Sequence, residues 1–209
     1  MTTTRGRIDK REAILAAAFA VFARTGYDAA GVQEIAAEAG VAKPTVYNHF
    51  RDKETLFRAA LAAAAERVAA ANLAAVERIT PDGDPHRTLT RAARALARRC
   101  CDEESRALRA LTYAQLGRFP ELLTEVYAVT AGRLAGTLAD RLARLIVAGR
   151  LRHDDPALIA EQFLALLTGP LEARSRLGTR HLTAAEVDAV ADHAAATVLW
   201  AFGTGVGER

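Results

Sequence analysis

The most restrictive feature of this chain is the segment VQEIAAEAGVAKPTVYNHF, residues 32–50, in which two short amphipathic stretches flank Gly40. Apolar side chains recur at helical spacing in the first stretch, and polar side chains occupy its other face. A residue without Cβ can adopt the left-handed conformation that closes a helix and turns the chain, so Gly40 marks the turn. The segment therefore predicts two short helices joined by a tight turn.

The second of these helices is predicted to begin near Lys43, with Pro44 in its first turn, where a missing N–H does no harm. Val46 and Phe50 lie four residues apart and are expected to face the core. The outward residues carry groups that can meet phosphate oxygens or base edges: Lys43, Thr45, Tyr47, Asn48 and His49. A helix-turn-helix that binds DNA fits this pattern, and a helical subdomain with merely solvated polar groups is the alternative.

The stretch from Ile8 to Phe57 resembles the N-terminal DNA-binding domain of the TetR (tetracycline-repressor) family. Two departures remove hydroxyl groups, since Ala30 and Gly31 precede the first short helix and Ala42 precedes the second, where similar proteins often carry Ser or Thr. The residues that carry the resemblance are Ile14, Leu15, Ala18, Phe22, Gly26, Tyr27, Ile35, Ala36, Gly40, Val41, Thr45, Val46, Tyr47, Phe50, Lys53, Leu56 and Phe57.

The resemblance implies different roles for the candidate DNA contacts. Tyr47 and Lys53 are expected to hold phosphates, and Gln33 to reach the DNA backbone. The remaining polar side chains of the second helix are expected to meet base edges. These are Lys43, Thr45, Asn48 and His49, and Pro44 lies among them. The basic tail with Arg5 and Arg7 could enter a minor groove or contact phosphate, and a disordered tail is the alternative.

Composition favours an all-α fold. The 209 residues are 51% apolar and only 6% aromatic, alanine is abundant, and few Gly or Pro residues interrupt the periodic segments. The net charge of +3 is compatible with DNA without demonstrating it, so local geometry has to carry that inference. We expect no signal peptide and no membrane span, which predicts a cytoplasmic protein.

Periodicity and turn signals divide the chain into about nine helices. Asp52 is placed to cap a long helix from Lys53, and no flexible linker precedes it. We therefore predict a DNA-binding domain over residues 1–52 and a larger helical effector-binding and dimerisation domain over 53–209. The later helices are expected at about 86–101, 103–117, 120–148, 156–177 and 184–202, with breaks at Gly, Pro and Asp clusters between them.

The last two predicted helices indicate a partner surface. One broad apolar face and a second face with small residues could each be core, but in TetR-like proteins the corresponding helices form a four-helix bundle with a second subunit. A homodimer on a palindromic double-stranded DNA operator is the prediction. Residues 121–169 and their surroundings are also similar to an AefR-like C-terminal domain. The two faces comprise Leu158, Phe163, Leu166, Leu167 and Leu171, and Val187, Val190, Ala191, Ala194, Val198 and Phe202.

The resemblance also implies an unknown small-molecule effector bound in the larger domain. Candidate lining residues combine polar groups with otherwise apolar helices, although surface or internally satisfied polar groups are the alternative for each. A bound effector would shift the separation of the two DNA-reading heads. The candidates are Arg109, Tyr113, Gln115, Tyr127, Gln162 and Phe163.

The sequence contains none of the nucleophile, phosphate-loop or dinucleotide patterns that mark catalytic and cofactor sites. Cys100 and Cys101 are adjacent and are interpreted as thiols, with a redox role as the alternative. The five histidines lack metal-ligand spacing. The leading hypothesis is a ligand-responsive transcriptional repressor without cofactor; the alternative is a helical enzyme or small-molecule carrier with a helix-turn-helix-like packing unit.

Overall fold

A computed structural model describes the backbone of residues 2–204 and the side chains of residues 9–204. Within this part of the chain all regular structure is helical, which confirms the all-α prediction. The helices are α1 (Thr2–Ala29), α2 (Val32–Glu38), α3 (Lys43–His49), α4 (Lys53–Val76), α5 (Pro85–Cys100), α6 (Glu103–Ala114), α7 (Glu121–Tyr127), α8 (Arg133–Val147), α9 (Pro156–Ser175) and α10 (Ala184–Phe202).

A π-helical segment, Ala128–Gly132, joins α7 to α8, so these elements run as one helix. Counted in that way, the described residues form the nine helices that the sequence predicts. Most bounds agree within a few residues; α6 is shorter than predicted because the chain turns after Ala114. The N-terminal tail differs more, since α1 already begins at Thr2. Arg5 and Arg7 therefore belong to its first turns, and their side chains lie outside the described set.

The helices form two compact units, and neither is a single stretch of chain. The first unit contains the described residues up to 67 together with 107–129, and the second contains residues 68–106 together with the described residues from 130 onward. Packing thus groups the first part of α4 and the segment around α7 with the N-terminal helices. The functional division at residue 52 is a different property and stays a prediction.

An aromatic cluster lies at the centre of the first unit. Phe57 packs edge-on against Phe22 and Tyr27, with ring centroids 4.9 and 4.8 Å apart. Phe119, which precedes α7, adds its edge to Tyr27 at 5.6 Å. All four rings are buried, so they join α1, α4 and the segment before α7 into one aromatic core.

The core of the second unit receives the apolar faces predicted for α9 and α10. Phe163, Leu167, Leu171, Val187 and Val198 are all buried there against side chains of α5 and α8. Most of these two faces is therefore core of the subunit, which was the alternative interpretation of the sequence, whereas Leu158 is 43% exposed. Any partner surface on α9 and α10 has to use the sides of these helices that the core leaves exposed.

Paired arginine and aspartate side chains link α5 to α10 across this core. The guanidinium group of Arg94 donates to both carboxylate oxygens of Asp192, at 2.7 and 2.8 Å. One turn along each helix, Arg98 donates to Asp188 at 3.0 and 2.7 Å. Two bidentate pairs at the same spacing on both helices fix the axial register of α10 on α5.

The C-terminal end of α10 is attached to the turn between α8 and α9. Leu151 and Gly203 form an isolated antiparallel bridge, and the Arg152 N–H donates to the Phe202 carbonyl at 2.7 Å. The Arg152 guanidinium group also donates to the carbonyl of Ala201, which places a cation at the negative end of the helix. Residues at the end of α10 are held firmly as a result.

Among the helices of the described residues, α4 has the length and mean hydropathy that a membrane span requires. Length and composition alone are weak criteria, since a core helix meets them too. Leu56, Phe57 and Leu61 are almost completely buried, and Glu66 and Arg67 interrupt the apolar sequence in the middle of the helix. We therefore interpret α4 as a core helix.

Candidate nucleic-acid interface

Helix α2 is held against α1 by both apolar and ionic contacts. Ile35 and Ala36 are fully buried. On the exposed side, Arg24 of α1 donates to Glu34 at 2.8 Å and to Glu38 at 2.9 Å, which raises the pKa of the arginine above its usual value. Because these contacts lie one turn apart on α2, they set the orientation of the helix as well as its position.

The turn after α2 has the geometry that the glycine predicts. Gly40 adopts φ 65°, its N–H donates to the carbonyl of Ala37 at 3.1 Å, and the next N–H, of Val41, donates to Ala36 at 2.9 Å. This pair of bonds satisfies the last carbonyls of α2 and reverses the chain within a few residues. Helix α3 consequently starts close to the end of α2, as in a helix-turn-helix.

Helix α3 separates its buried residues from its polar ones as predicted. Val46 and Phe50 are buried. Lys43, Pro44, Tyr47 and Asn48 are exposed together with Gln33 of α2, whereas Thr45 and His49 are half-buried. The exposed residues recur four apart along α3, so they lie on one side of the helix.

The N-termini of both short helices lack side-chain caps, as the missing hydroxyl groups in the sequence indicate. Gly31 and Ala42 occupy the N-cap positions of α2 and α3 in extended conformation, and neither forms a side-chain cap hydrogen bond. A backbone bond from Thr45 N–H to the Ala42 carbonyl, at 2.8 Å, begins α3 instead. Its stability therefore depends on Val46 and Phe50 more than on its end.

Helix α4 begins at Lys53 and carries its own anion at the N-terminus. The Asp52 carboxylate accepts from the Thr55 N–H at 2.7 Å. This bond is the main reason that the pKa of Asp52 falls to about 2, with smaller contributions from the Thr55 hydroxyl and Arg51. The N–H groups at the start of a helix attract phosphate, but Asp52 already occupies part of that site. The Lys53 side chain is left as the stronger candidate for a phosphate contact.

The ammonium group of Lys53 is positioned by the end of α1. Its Nζ donates to the Asp28 carbonyl oxygen at 3.0 Å and lies 4.9 Å from the centre of the Tyr27 ring. Tyr27 is 6% exposed, and burial raises the pKa of its phenol group. One of the three donors of the ammonium group is thus used within the protein, and the side chain is half-buried.

Two cations that support this surface were not singled out by sequence reasoning. Arg11 of α1 lies 5.4 Å from the centre of the Phe50 ring, at the end of α3. Arg118, before α7, lies 4.8 Å from the centre of the Tyr27 ring and pairs with the Asp28 carboxylate at 3.2 Å. Arg118 is far from the helix-turn-helix in sequence, so no local pattern connects them.

The six candidate effector contacts lie in both units and differ in exposure. Tyr113 and Tyr127 are exposed and Gln115 is buried, all in the first unit together with Arg109. Gln162 is exposed on α9, whereas its neighbour Phe163 is fully buried in the core of the second unit. These two residues consequently do not share a surface, and the effector role of all six stays a prediction.

Cys100 and Cys101 carry thiols of intermediate exposure that pack against the core of the second unit. Both have further contacts in the structure. In the described part of the chain no group of three or more His, Cys, Asp and Glu side chains is arranged to hold a metal ion.

Two family models match this chain. Residues 14–60 match the model described as bacterial regulatory proteins of the tetR family, which covers the helix-turn-helix. Residues 87–204 match the model described as the C-terminal domain of AefR-like transcriptional repressors. This second match covers more than half of the chain, and the two matches together confirm both resemblances seen in the sequence.

Two similar proteins match over most or nearly all of the chain. A TetR-family transcriptional regulator from Mesorhizobium loti has 31% sequence identity and a TM-score of 0.88, covering 95% of this chain and 98% of its own. The HTH-type transcriptional repressor Rv1474c of Mycobacterium tuberculosis is 29% identical over 169 residues, 81% of this chain and 83% of that protein.

A third relative matches the N-terminal region alone. The HTH-type transcriptional activator FasR of Mycolicibacterium smegmatis is 49% identical over 55 residues, and the chain covers only 25% of that protein. All three relatives are named as transcriptional regulators. From its two family models and its full-length relatives, the chain belongs to the TetR family of bacterial transcriptional regulators.

Proposed function

We propose that this regulator is a homodimeric repressor that binds a two-fold symmetric DNA operator through α3 and the first turn of α4. The observation that carries the proposal is the division of α3 into a buried side, Val46 and Phe50, and an exposed polar side with Lys43, Tyr47 and Asn48. In a helix-turn-helix the second helix enters the major groove, where such groups meet base edges.

The proposed contacts fall into two classes. Tyr47 and Lys53 hold phosphates and position the protein, while Gln33 reaches the DNA backbone near the start of α2. Base edges are approached by the exposed end and side of α3. We assign Lys43, Pro44, Thr45, Asn48 and His49 to this second class of contacts, those with base edges. Thr45 and His49 are less accessible than the others.

Repression is favoured over activation by the C-terminal part of the chain. The model over residues 87–204 describes repressors, and a relative that covers 81% of the chain is named a repressor, whereas the activator matches only the DNA-binding region. We propose that a small molecule bound by the helical domain releases the protein from DNA. We further propose that the protein acts in the bacterial cytoplasm, where the operator is accessible.

Dimerisation is proposed through the sides of α9 and α10 that the core leaves exposed. Leu158, Gln162 and Ala165 follow one side of α9, and His193 and Trp200 follow one side of α10. Small residues among them, including Ala189, Ala196 and Gly169, permit close helix packing. An isologous dimer of this kind suits a palindromic operator whose half-sites lie about 34–36 Å apart or more.

Titration of a fluorescent duplex from the region upstream of the gene tests DNA binding. We expect sequence-selective, salt-sensitive binding, and Lys53→Ala should reduce the slope of log K against log salt by about 0.9 for each phosphate that the variant no longer neutralises. Lys43→Ala or Asn48→Ala should instead change the preference among operator variants. Binding that does not discriminate between the operator and unrelated DNA would contradict the proposal.

Sedimentation analysis tests the dimer independently of DNA. An arginine at Ala189 or Ala196 should prevent close packing and convert the particle from twice 22.4 kDa to the monomer mass of 22.4 kDa. The matched control is Ala110→Arg, which adds the same charge to an exposed position of α6. An unchanged mass in all three variants would place the interface elsewhere.

A further inference from the structure

Asp28 contacts both Lys53, the candidate phosphate contact, and Arg118, a cation from a distant part of the chain. Its backbone carbonyl accepts from Lys53 Nζ at 3.0 Å, and its carboxylate accepts from Arg118 Nη1 at 3.2 Å. The same two cations also contact the Tyr27 ring, at 4.9 and 4.8 Å from its centre. Lys53 and Arg118 therefore share both partners while using different atoms of Asp28.

This division of contacts affects the charge that Lys53 can present to DNA. The Asp28 carboxylate is 83% exposed and belongs to the same residue as the carbonyl that Lys53 binds, so rotation of either side chain can bring it within reach of the Lys53 ammonium group. Arg118 holds that carboxylate. Because the carboxylate is already paired, Lys53 bonds only the neutral carbonyl and keeps donors for a phosphate.

We propose that Arg118 is a positioning residue for DNA binding, which neutralises Asp28 and thereby keeps the Lys53 ammonium group available to phosphate. This inference depends on the proposed function, because it assumes that Lys53 contacts DNA. Loss of Arg118 lets the Asp28 carboxylate pair with Lys53. The lysine then has to break an ion pair before it can bind a phosphate, so affinity for every DNA sequence falls.

A stabilising role alone would predict a different outcome. Arg118 and Asp28 are both more than half exposed, and ion pairs of this kind contribute little to folding stability. A purely structural Arg118 would therefore leave both the unfolding temperature and DNA binding almost unchanged. The proposed role instead gives a change in binding that a second substitution at Asp28 can reverse.

Fluorescence anisotropy with the operator duplex, at several salt concentrations, tests the proposal. We expect Arg118→Gln to weaken binding about threefold to tenfold, the size of effect expected when one phosphate contact is impaired. Adding Asp28→Asn keeps the carbonyl that holds Lys53 and removes the competing charge. The double variant should therefore return to wild-type affinity, although it lacks the ion pair altogether.

Arg58→Gln is the matched control for disturbance of the same segment. Arg58 lies 4.9 Å from the centre of the Phe119 ring and donates to the Glu121 carboxylate. Its carboxylate partner is therefore Glu121, whereas that of Arg118 is Asp28. Any loss of binding in Arg58→Gln should consequently not be reversed by Asp28→Asn. Equal reversal in both backgrounds would overturn the specific role of Arg118.

Lys53→Ala separates failure of this inference from failure of the proposed function. If Lys53→Ala weakens binding but Arg118→Gln binds like wild type, or if Asp28→Asn does not restore Arg118→Gln, the role of Arg118 is wrong and the phosphate contact stands. If Lys53→Ala itself binds like wild type, the phosphate contact is wrong and the inference fails with it. Full support requires that Arg118→Gln has no effect in the Lys53→Ala background.

Discussion

Gly40 controls the path of the chain between α2 and α3 by its backbone conformation. It adopts φ 65°, and a Cβ at this position would meet no atom within 4 Å, so a side chain is opposed by backbone strain rather than by lack of space. We expect Gly40→Ala to lower the free energy of unfolding by about 1 kcal/mol. Chemical denaturation followed by circular dichroism measures the change.

Gly136 provides the control because it lies inside helix α8, where a Cβ also meets no atom within 4 Å. Alanine is a better helix former than glycine, so Gly136→Ala should raise the free energy of unfolding by roughly 0.5–1 kcal/mol. Opposite signs at two equally open glycines would establish that conformation causes the difference. A stabilising effect at both positions would refute the assignment of strain to Gly40.

The surroundings of the candidate DNA contacts could be predicted from sequence to different degrees. Val46 and Phe50 define the buried side of α3 by their spacing, and Tyr47 and Asn48 are exposed as a consequence. The surroundings of Lys53 could not be predicted, because Arg118 reaches them from a segment far along the chain. Local periodicity describes one helix at a time and contains no information on such long-range ion pairs.

Helix α3 has an N-terminus that can be improved. Ala42 occupies the N-cap in extended conformation without a side-chain acceptor, and a serine there could accept from an N–H of the first turn. We expect Ala42→Ser to raise the free energy of unfolding by about 0.5–1 kcal/mol. The control is Ala37→Ser at an exposed position of α2, which adds the same hydroxyl within a helix and should be neutral or slightly destabilising.

Equal stabilisation by Ala42→Ser and Ala37→Ser would show that the hydroxyl acts in some way other than capping. Denaturant midpoints at constant slope distinguish the two outcomes. Operator binding by Ala42→Ser is informative as well. If the variant is more stable but binds the operator no better than wild type, helix α3 is already ordered in the free protein.

The attachment of α10 to α5 should depend on pH. Hydrogen bonds from Arg98 and Arg94 lower the pKa values of Asp188 and Asp192 in the folded protein. Their contribution to stability is therefore complete above the unfolded-state pKa, about 3.9, and is lost as the pH falls through the lower folded-state values. We expect wild type and the Asp188→Asn/Asp192→Asn variant to differ in stability at about pH 6 and to converge at the acid end.

Denaturation at a series of pH values between about 6 and 2.5 measures this convergence. Asp140→Asn, at an exposed position of α8, is the control for removal of a surface carboxylate. A difference between wild type and the double variant that stays constant over the whole pH range would exclude the ion pairs as its cause. The pH series also tests whether register contacts at the edge of the α5–α10 core contribute to folding.

The arrangement of the whole molecule was only partly predictable. Helix number and most helix bounds follow from periodicity, caps and Gly or Pro breaks, as at Thr183, whose capping box begins α10 at the predicted residue. The apolar faces of α9 and α10 could not be assigned to core or interface, because both need the same spacing. The structure places Phe163 and Val198 in the core of one chain, since α5 and α8 cover them.

Operator binding by a two-fold dimer should require both half-sites. A duplex with one half-site replaced by unrelated sequence should bind on the order of 10²-fold more weakly, because the second head then contributes only non-specific contacts. Competition between the intact and the half-site duplex measures this ratio. Equal affinity for both duplexes would indicate that one head acts alone and would contradict the symmetric arrangement.

Trp200 is the single tryptophan of the sequence, is 71% exposed, and lies near the end of α10 that Arg152 holds in place. Its indole group therefore makes the protein its own optical reporter. If a second chain covers this part of α10, dilution should shift the emission to longer wavelength and increase quenching by acrylamide. Assembly can then be followed in the unmodified protein, without a dye attached near the proposed interface.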